Sequence, residues 1–132
     1  MPSFSPVPLA ALAAATSPVG SWMTEDGSAL VSIAPCGQSL CGNVSKVLAV
    51  QPGIPDTDVH NPKAELRTRP LLGLPVLTGF TWSGTQWTGG SIYDPKTGKT
   101  YRSRLAVNAD GSLRVSGCVL IICETQRWTP AR

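Results

Sequence analysis

Apolar and polar residues alternate one by one over much of this chain, the period of two that a half-buried β-strand imposes on its side chains. The clearest stretch is 100–107, where Tyr101, Ser103, Leu105 and Val107 share one face and Arg102 and Arg104 take the other. Leu113 and Val115 flank Arg114 in the same way, and near the end Gln126 and Trp128 face away from Thr125 and Arg127. The same pattern predicts strands at 19–24, 29–34, 42–50, 75–82 and 87–93, with the last strand or strands inside 119–129. Turn chemistry separates them: Glu25-Asp26-Gly27-Ser28, Ser83-Gly84-Thr85-Gln86, Asp94-Pro95-Lys96-Thr97-Gly98 and Asn108-Ala109-Asp110-Gly111. In such segments Asp bonds its own backbone, Pro presets φ and Gly accepts the left-handed position.

Residues 51–69 break the alternation. With Pro52, Pro55 and Asn61-Pro62 they read as a long irregular connection, holding at most one helical turn at 63–66. About eight short strands with frequent turns indicate an all-β sandwich or barrel. Short links favour sequential antiparallel neighbours, and closing that meander removes exposed edges, so a small antiparallel up-and-down β-barrel is expected.

A length of 132 residues, 42% hydrophobic and 14% charged, suits one core and one domain. Residues 1–18 are set apart from this domain, 19–132. Residues 1–19 carry no charge, and the run VPLAALAAA at 7–15 reads as a signal-peptide core or a disordered leader. No other segment nears the roughly 18 apolar residues of a membrane helix, so the chain is not expected to be transmembrane. The net charge of +3 comes from basic residues spread along the chain, which is too dilute for a nucleic-acid footprint.

Four cysteines form two units of equal spacing, Cys36 with Cys41 and Cys118 with Cys123. Zinc held by four thiolates and a redox pair are both possible uses of cysteine. The spacing suits neither structural zinc nor the C-x-x-C motif, and disulfides in an oxidising compartment, periplasmic or secreted, are expected instead. Long-range bridges would contribute about 4 to 5 kcal/mol each and local ones on the order of 2. Stereochemistry favours the local pairs, because Gly37 lets cysteines five apart meet.

Several segments together resemble a bacterial exported family catalogued as domain of unknown function 2147. They are Gly20-Ser21-Trp22, Cys41-Gly42, Asp58-Val59-His60-Asn61-Pro62 continuing to Arg67-Thr68-Arg69-Pro70-Leu71-Leu72-Gly73-Leu74, Trp87-Thr88-Gly89-Gly90-Ser91-Ile92-Tyr93-Asp94-Pro95, Gly98-Lys99-Thr100-Tyr101, and Gln126 to Thr129. The resemblance spans nearly all of 20–129 and implies a lipocalin-like barrel and an exported location, but no reaction. Gly20-Ser21-Trp22 also resembles the Gly-x-Trp signature of lipocalins, which implies that Trp22 closes the barrel floor with Arg127 as its basic partner. The chain departs from the family pattern at His60, where Lys or Asn is expected, and at its end, where Pro130 follows Thr129.

Catalytic constellations are weak. There is a single histidine, His60, in the irregular connection, and no Gly-x-Ser-x-Gly elbow. Asp56, Asp58, His60 and Asn61 imitate a metal loop but lack the Gly and terminal Glu of one, and read as a capped polar turn. No metal and no cofactor is expected. An eight-stranded barrel is either filled by side chains or just wide enough for one small ligand. If hollow, its interior candidates are Phe80, Trp82, Trp87, Tyr93, Tyr101, Ser103 and Leu105. The expected function is non-enzymatic binding of a small apolar or amphipathic molecule, a lipophilic ligand being the one partner foreseen. The alternative is a structural or interaction module of the bacterial envelope with a closed core.

Overall fold

A computed structural model describes residues 17–48 and 55–131. The expected leader falls outside these residues except for Ser17 and Pro18, as do Ala49 and Val50 of the third predicted strand. The chain forms β1 (Gly20–Met23), β2 (Ala29–Cys36), β3 (Ser39–Val47), β4 (Pro75–Trp82), β5 (Trp87–Asp94), β6 (Lys99–Val107), β7 (Leu113–Val119) and β8 (Ile122–Pro130). One 3-10 turn, Ala64–Leu66, is the helical turn expected in the long connection. The strands pair antiparallel in chain order, and β8 returns to β1 to close the barrel. Closure is short: Trp22 pairs with Pro130 and Met23 with Thr129, extended by the Ala131 N–H donating to the Ser21 carbonyl at 2.9 Å.

Alternation located the strands, and the differences lie at the cysteines. Residues 37–40 are not a free loop. β2 runs on to Cys36 and β3 starts at Ser39, with Gly37 at φ 68 making the tight turn. At the other end of the barrel β7 and β8 are separate strands joined by Leu120 and Ile121. Each hairpin carries one local disulfide, Cys36–Cys41 and Cys118–Cys123, on the outer face. Among the described residues no helix is long and apolar enough to cross a membrane.

Two bulges shape the interior. Leu77 and Phe80 both face inward although three residues apart, because the β3–β4 register shifts between Leu40 and Gly42. The β5–β6 register shifts between Trp87 and Gly90, so the β4–β5 hairpin between them stays in step. Phe80 then lies flat on β5. A Cβ at Gly90 would sit 2.5 Å from the Phe80 ring, so only glycine admits the ring there.

Candidate functional site

The two ends of the barrel differ. At one end the β2–β3, β4–β5 and β6–β7 turns surround a filled interior, where Ile33, Leu40, Leu77, Phe80, Leu105 and Leu113 are all buried. At the other end the β1–β2, β5–β6 and β7–β8 turns surround a cavity of about 380 Å³. Valines from four strands, Val31, Val44, Val76 and Val115, together with Ile92, make its apolar wall, and Trp128 closes it toward the filled half. Gly117 makes room: its hypothetical Cβ would stand 3.6 Å from both Ile92 and Tyr101. Polar groups enter mainly from β8, where Glu124 and Gln126 share the inward face with Trp128, and the Trp128 indole donates to Gln126 Oε1 at 2.9 Å. Lys96 and Asp26 form an ion pair at the mouth.

Of the expected interior residues, the structure sets Tyr101 on the cavity wall and Tyr93 at its rim. Ser103 and Leu105 face inward as alternation requires, but they lie deeper, in the filled half, where the Ser103 hydroxyl donates to the Ser116 carbonyl. Phe80 belongs to that filled half as well. Trp82 and Trp87 pack near the closed end with ring centroids 5.5 Å apart and planes tilted by 53°, and Trp82 is about half exposed. None of these five lines the cavity. Glu124, Gln126, Trp128 and the four valines were not among the expected residues. The signal for the β8 set was present, since the alternation that turns Trp128 inward carries Gln126 and Glu124 with it.

Tyr93 borders the cavity, but its hydroxyl points the other way. It follows Ile92 on β5 and reaches out to the long connection, where its hydroxyl donates to Asp58 Oδ1 at 2.7 Å. Asp58 is fully buried; it also accepts from Asn61 Nδ2 at 2.8 Å and from Arg69 Nε and Nη2 at 3.2 Å. The polar turn foreseen at Asp58 and Asn61 is thus the clasp that fixes the connection against β5. Among the described residues no group of His, Cys, Asp and Glu converges as a metal site.

Burial, and then the acceptor Asp58, push the Tyr93 phenol up from 10.0 to about 12. The folded state thus keeps its proton where the unfolded chain has lost it. The contribution of this group to stability is complete below pH 10.0 and is lost as pH rises toward about 12. Denaturant midpoints measured across that window should fall with pH, and Tyr93→Phe should flatten the decline.

Trp22 is buried at the filled end, and its indole donates to the Pro18 carbonyl at 2.7 Å. Arg127 is not its partner. It faces outward, opposite in phase to Trp128, and Nη2 donates to Asp110 Oδ2 at 2.7 Å. The Ser112 hydroxyl, and then Arg127, hold the Asp110 carboxyl well below the usual carboxylate range.

Residues 20–130 match a family described as an uncharacterized protein conserved in bacteria, DUF2147. Among solved structures the chain is similar to protein HP1028 of Helicobacter pylori, described as belonging to the lipocalin family. The two share 22% identity at a TM-score of 0.76, over 88% of this chain and 84% of that one. That likeness shows the fold, a lipocalin-like barrel. No curated protein matches the chain.

Proposed function

The chain belongs to the bacterial DUF2147 family, and from that premise we propose that it is an exported binding protein that holds one small amphipathic molecule without transforming it. The observation that carries this reading is the hollow half of the barrel. Its volume, about 380 Å³, falls in the range of small-molecule sites, and an aliphatic wall meets polar groups on β8 and at the mouth. Inside, these are Glu124, Gln126 and the Tyr101 hydroxyl, and at the mouth Thr24, Ser28, Asp26, Asp94 and Lys96; the three carboxylates outnumber the one lysine, which is itself paired with Asp26, so the set favours a ligand whose polar end donates hydrogen bonds, an alcohol, amide or amine, over one ending in a carboxylate. The binding reading is also supported by the position of His60, which lies on the long connection beside Gly98 and not on the cavity wall. Two disulfides fit an oxidising compartment, which is the support for export.

Trp128 lines the cavity and reports on it. Titration with a long-chain alcohol or a neutral lipophilic fluorophore should change Trp emission and saturate, and a fatty acid of the same length should bind more weakly. Gly117 has ordinary strand φ, so Gly117→Leu is expected to fold and to fill the cavity, abolishing saturable binding, while Gly117→Ala retains it. Tyr101→Ala should weaken binding more than Arg102→Ala. Wild-type protein without saturable binding, or undiminished binding by Gly117→Leu, would overturn the proposal.

A further inference from the structure

The hairpin between β7 and β8 presents Val119, Leu120, Ile121 and Ile122 to solvent, with relative exposures of 58%, 80%, 96% and 74%. Four consecutive exposed aliphatic residues amount to a patch on the order of 500 Å², near the upper end of what a monomer shows, and such patches mark interaction sites. Leu120 adopts φ 56, a left-handed conformation that a turn ordinarily gives to Gly or Asn. The backbone there is unfavourable for leucine, yet leucine occupies it. The tip is also held in place: Cys118 and Cys123 are bonded at its base, and Arg102 Nη2 donates to the Leu120 carbonyl at 2.9 Å. Val119 and Ile122 are at the same time lining residues of the cavity, so the patch is continuous with the cavity mouth.

On the outer face beside the tip the charge has one sign. Cross-strand register puts Arg102 opposite Cys118 and Arg104 opposite Ser116 on the outer face near the tip, with Arg114 and Arg127 on the same face farther along, while Glu124, the carboxylate of these three strands, turns into the cavity. Among the described residues Arg102, Arg104 and Arg114 have no ion-pair partner. We propose that the β7–β8 tip docks on a lipid bilayer with anionic headgroups, its aliphatic side chains entering the interface and the arginines of the adjoining outer face meeting the headgroups. A stable protein partner takes roughly 800 Å² from each side and wants a matching concave surface. A convex tip of about 500 Å² is short of that, whereas a fluid interface conforms to it. Docked this way, the cavity mouth would open at the membrane surface.

The test is co-sedimentation of the full chain with vesicles of phosphatidylcholine, with and without phosphatidylglycerol. The protein should partition to the anionic vesicles, more weakly to pure phosphatidylcholine, and less at high salt. Ile121→Asp changes a side chain that is almost wholly exposed, so the fold is retained, and partitioning should fall about tenfold or more. Arg104→Ala should lower it about fivefold on anionic vesicles alone. No partitioning by the wild type, or none lost in Ile121→Asp, overturns the inference. So does a concentration-dependent dimer that Ile121→Asp abolishes without vesicle binding, which would give the tip to a second copy. Ligand titration of Ile121→Asp in vesicle-free buffer should match the wild type, so the docking and the binding proposals fail separately.

Discussion

Trp22→Ala is expected to lower stability by about 3 to 5 kcal/mol, enough to unfold many domains of this size. β1 is four residues long and meets β8 through two residue pairs, so backbone bonds alone hold that seam weakly. Trp22 compensates with packing. It is 6% exposed, stands opposite Val31 on β2 and Pro130 on β8, and its indole donates to the buried Pro18, which draws the preceding segment across the filled end. Truncation removes that aromatic area and leaves the Pro18 carbonyl without its donor. His60→Ala is the control, since its side chain lies on an exposed part of the connection, and its effect should be under about 0.5 kcal/mol. Urea unfolding of both variants decides the matter; equal effects would mean that Trp22 does not secure the seam.

The barrel was largely legible because its strands are half-buried, and half-burial writes itself into the sequence as alternation. Segment 100–107 became β6, and 75–82 became β4 with the same bounds. The less legible ends have a common cause. Pro35, Cys36 and Ser39 carry little strand preference, and the β2–β3 pairing they join is set by the turn at Gly37 and by the disulfide. Bulges are similarly silent in a sequence with no partner strand marked on it, and Gly90 shows its purpose only once Phe80 is seen lying across it.

For the site, alternation gave the face and could not give the depth. Tyr101, Ser103 and Leu105 all point inward, yet the boundary between hollow and filled halves falls between Tyr101 and Ser103. That boundary depends on which side chains from the other strands meet at each level, a product of tilt and register. Arg127 was misplaced for the opposite reason. Its phase against Trp128 already turned it outward, and the lipocalin resemblance suggested an inward role that the strand does not permit. The role of Tyr93 is the least legible, because the partner of its hydroxyl is Asp58, 35 residues earlier in a segment with no periodic signal.

That clasp yields the second large effect. Asp58→Ala should cost about 3 kcal/mol, the lower end of the range for removing one partner of a buried ion pair, because the Arg69 side chain left behind is 33% exposed. The carboxylate is fully buried and satisfies donors from three residues, Asn61, Arg69 and Tyr93, and its removal leaves all three facing a void. Asp58→Asn keeps the shape but turns an amide N–H toward donors, so it should be milder than Ala and still destabilising. The loss should be local before it is global. The connection is tied to itself through the Thr57–Pro70 bridge and the Leu71 N–H bond to Asp56 at 2.8 Å, and to the barrel through Tyr93, the close approach of the His60 carbonyl to Gly98 and, at its end, the Gly73 N–H bond to the Val44 carbonyl at 2.7 Å. Amide exchange in Asp58→Asn should therefore accelerate over 55–74 while the amides of β2, β7 and β8 keep their protection. If exchange rises uniformly across the barrel, the clasp belongs to the core's cooperative unit; if it rises nowhere, the connection is held by its own turns and Asp58 is dispensable to it.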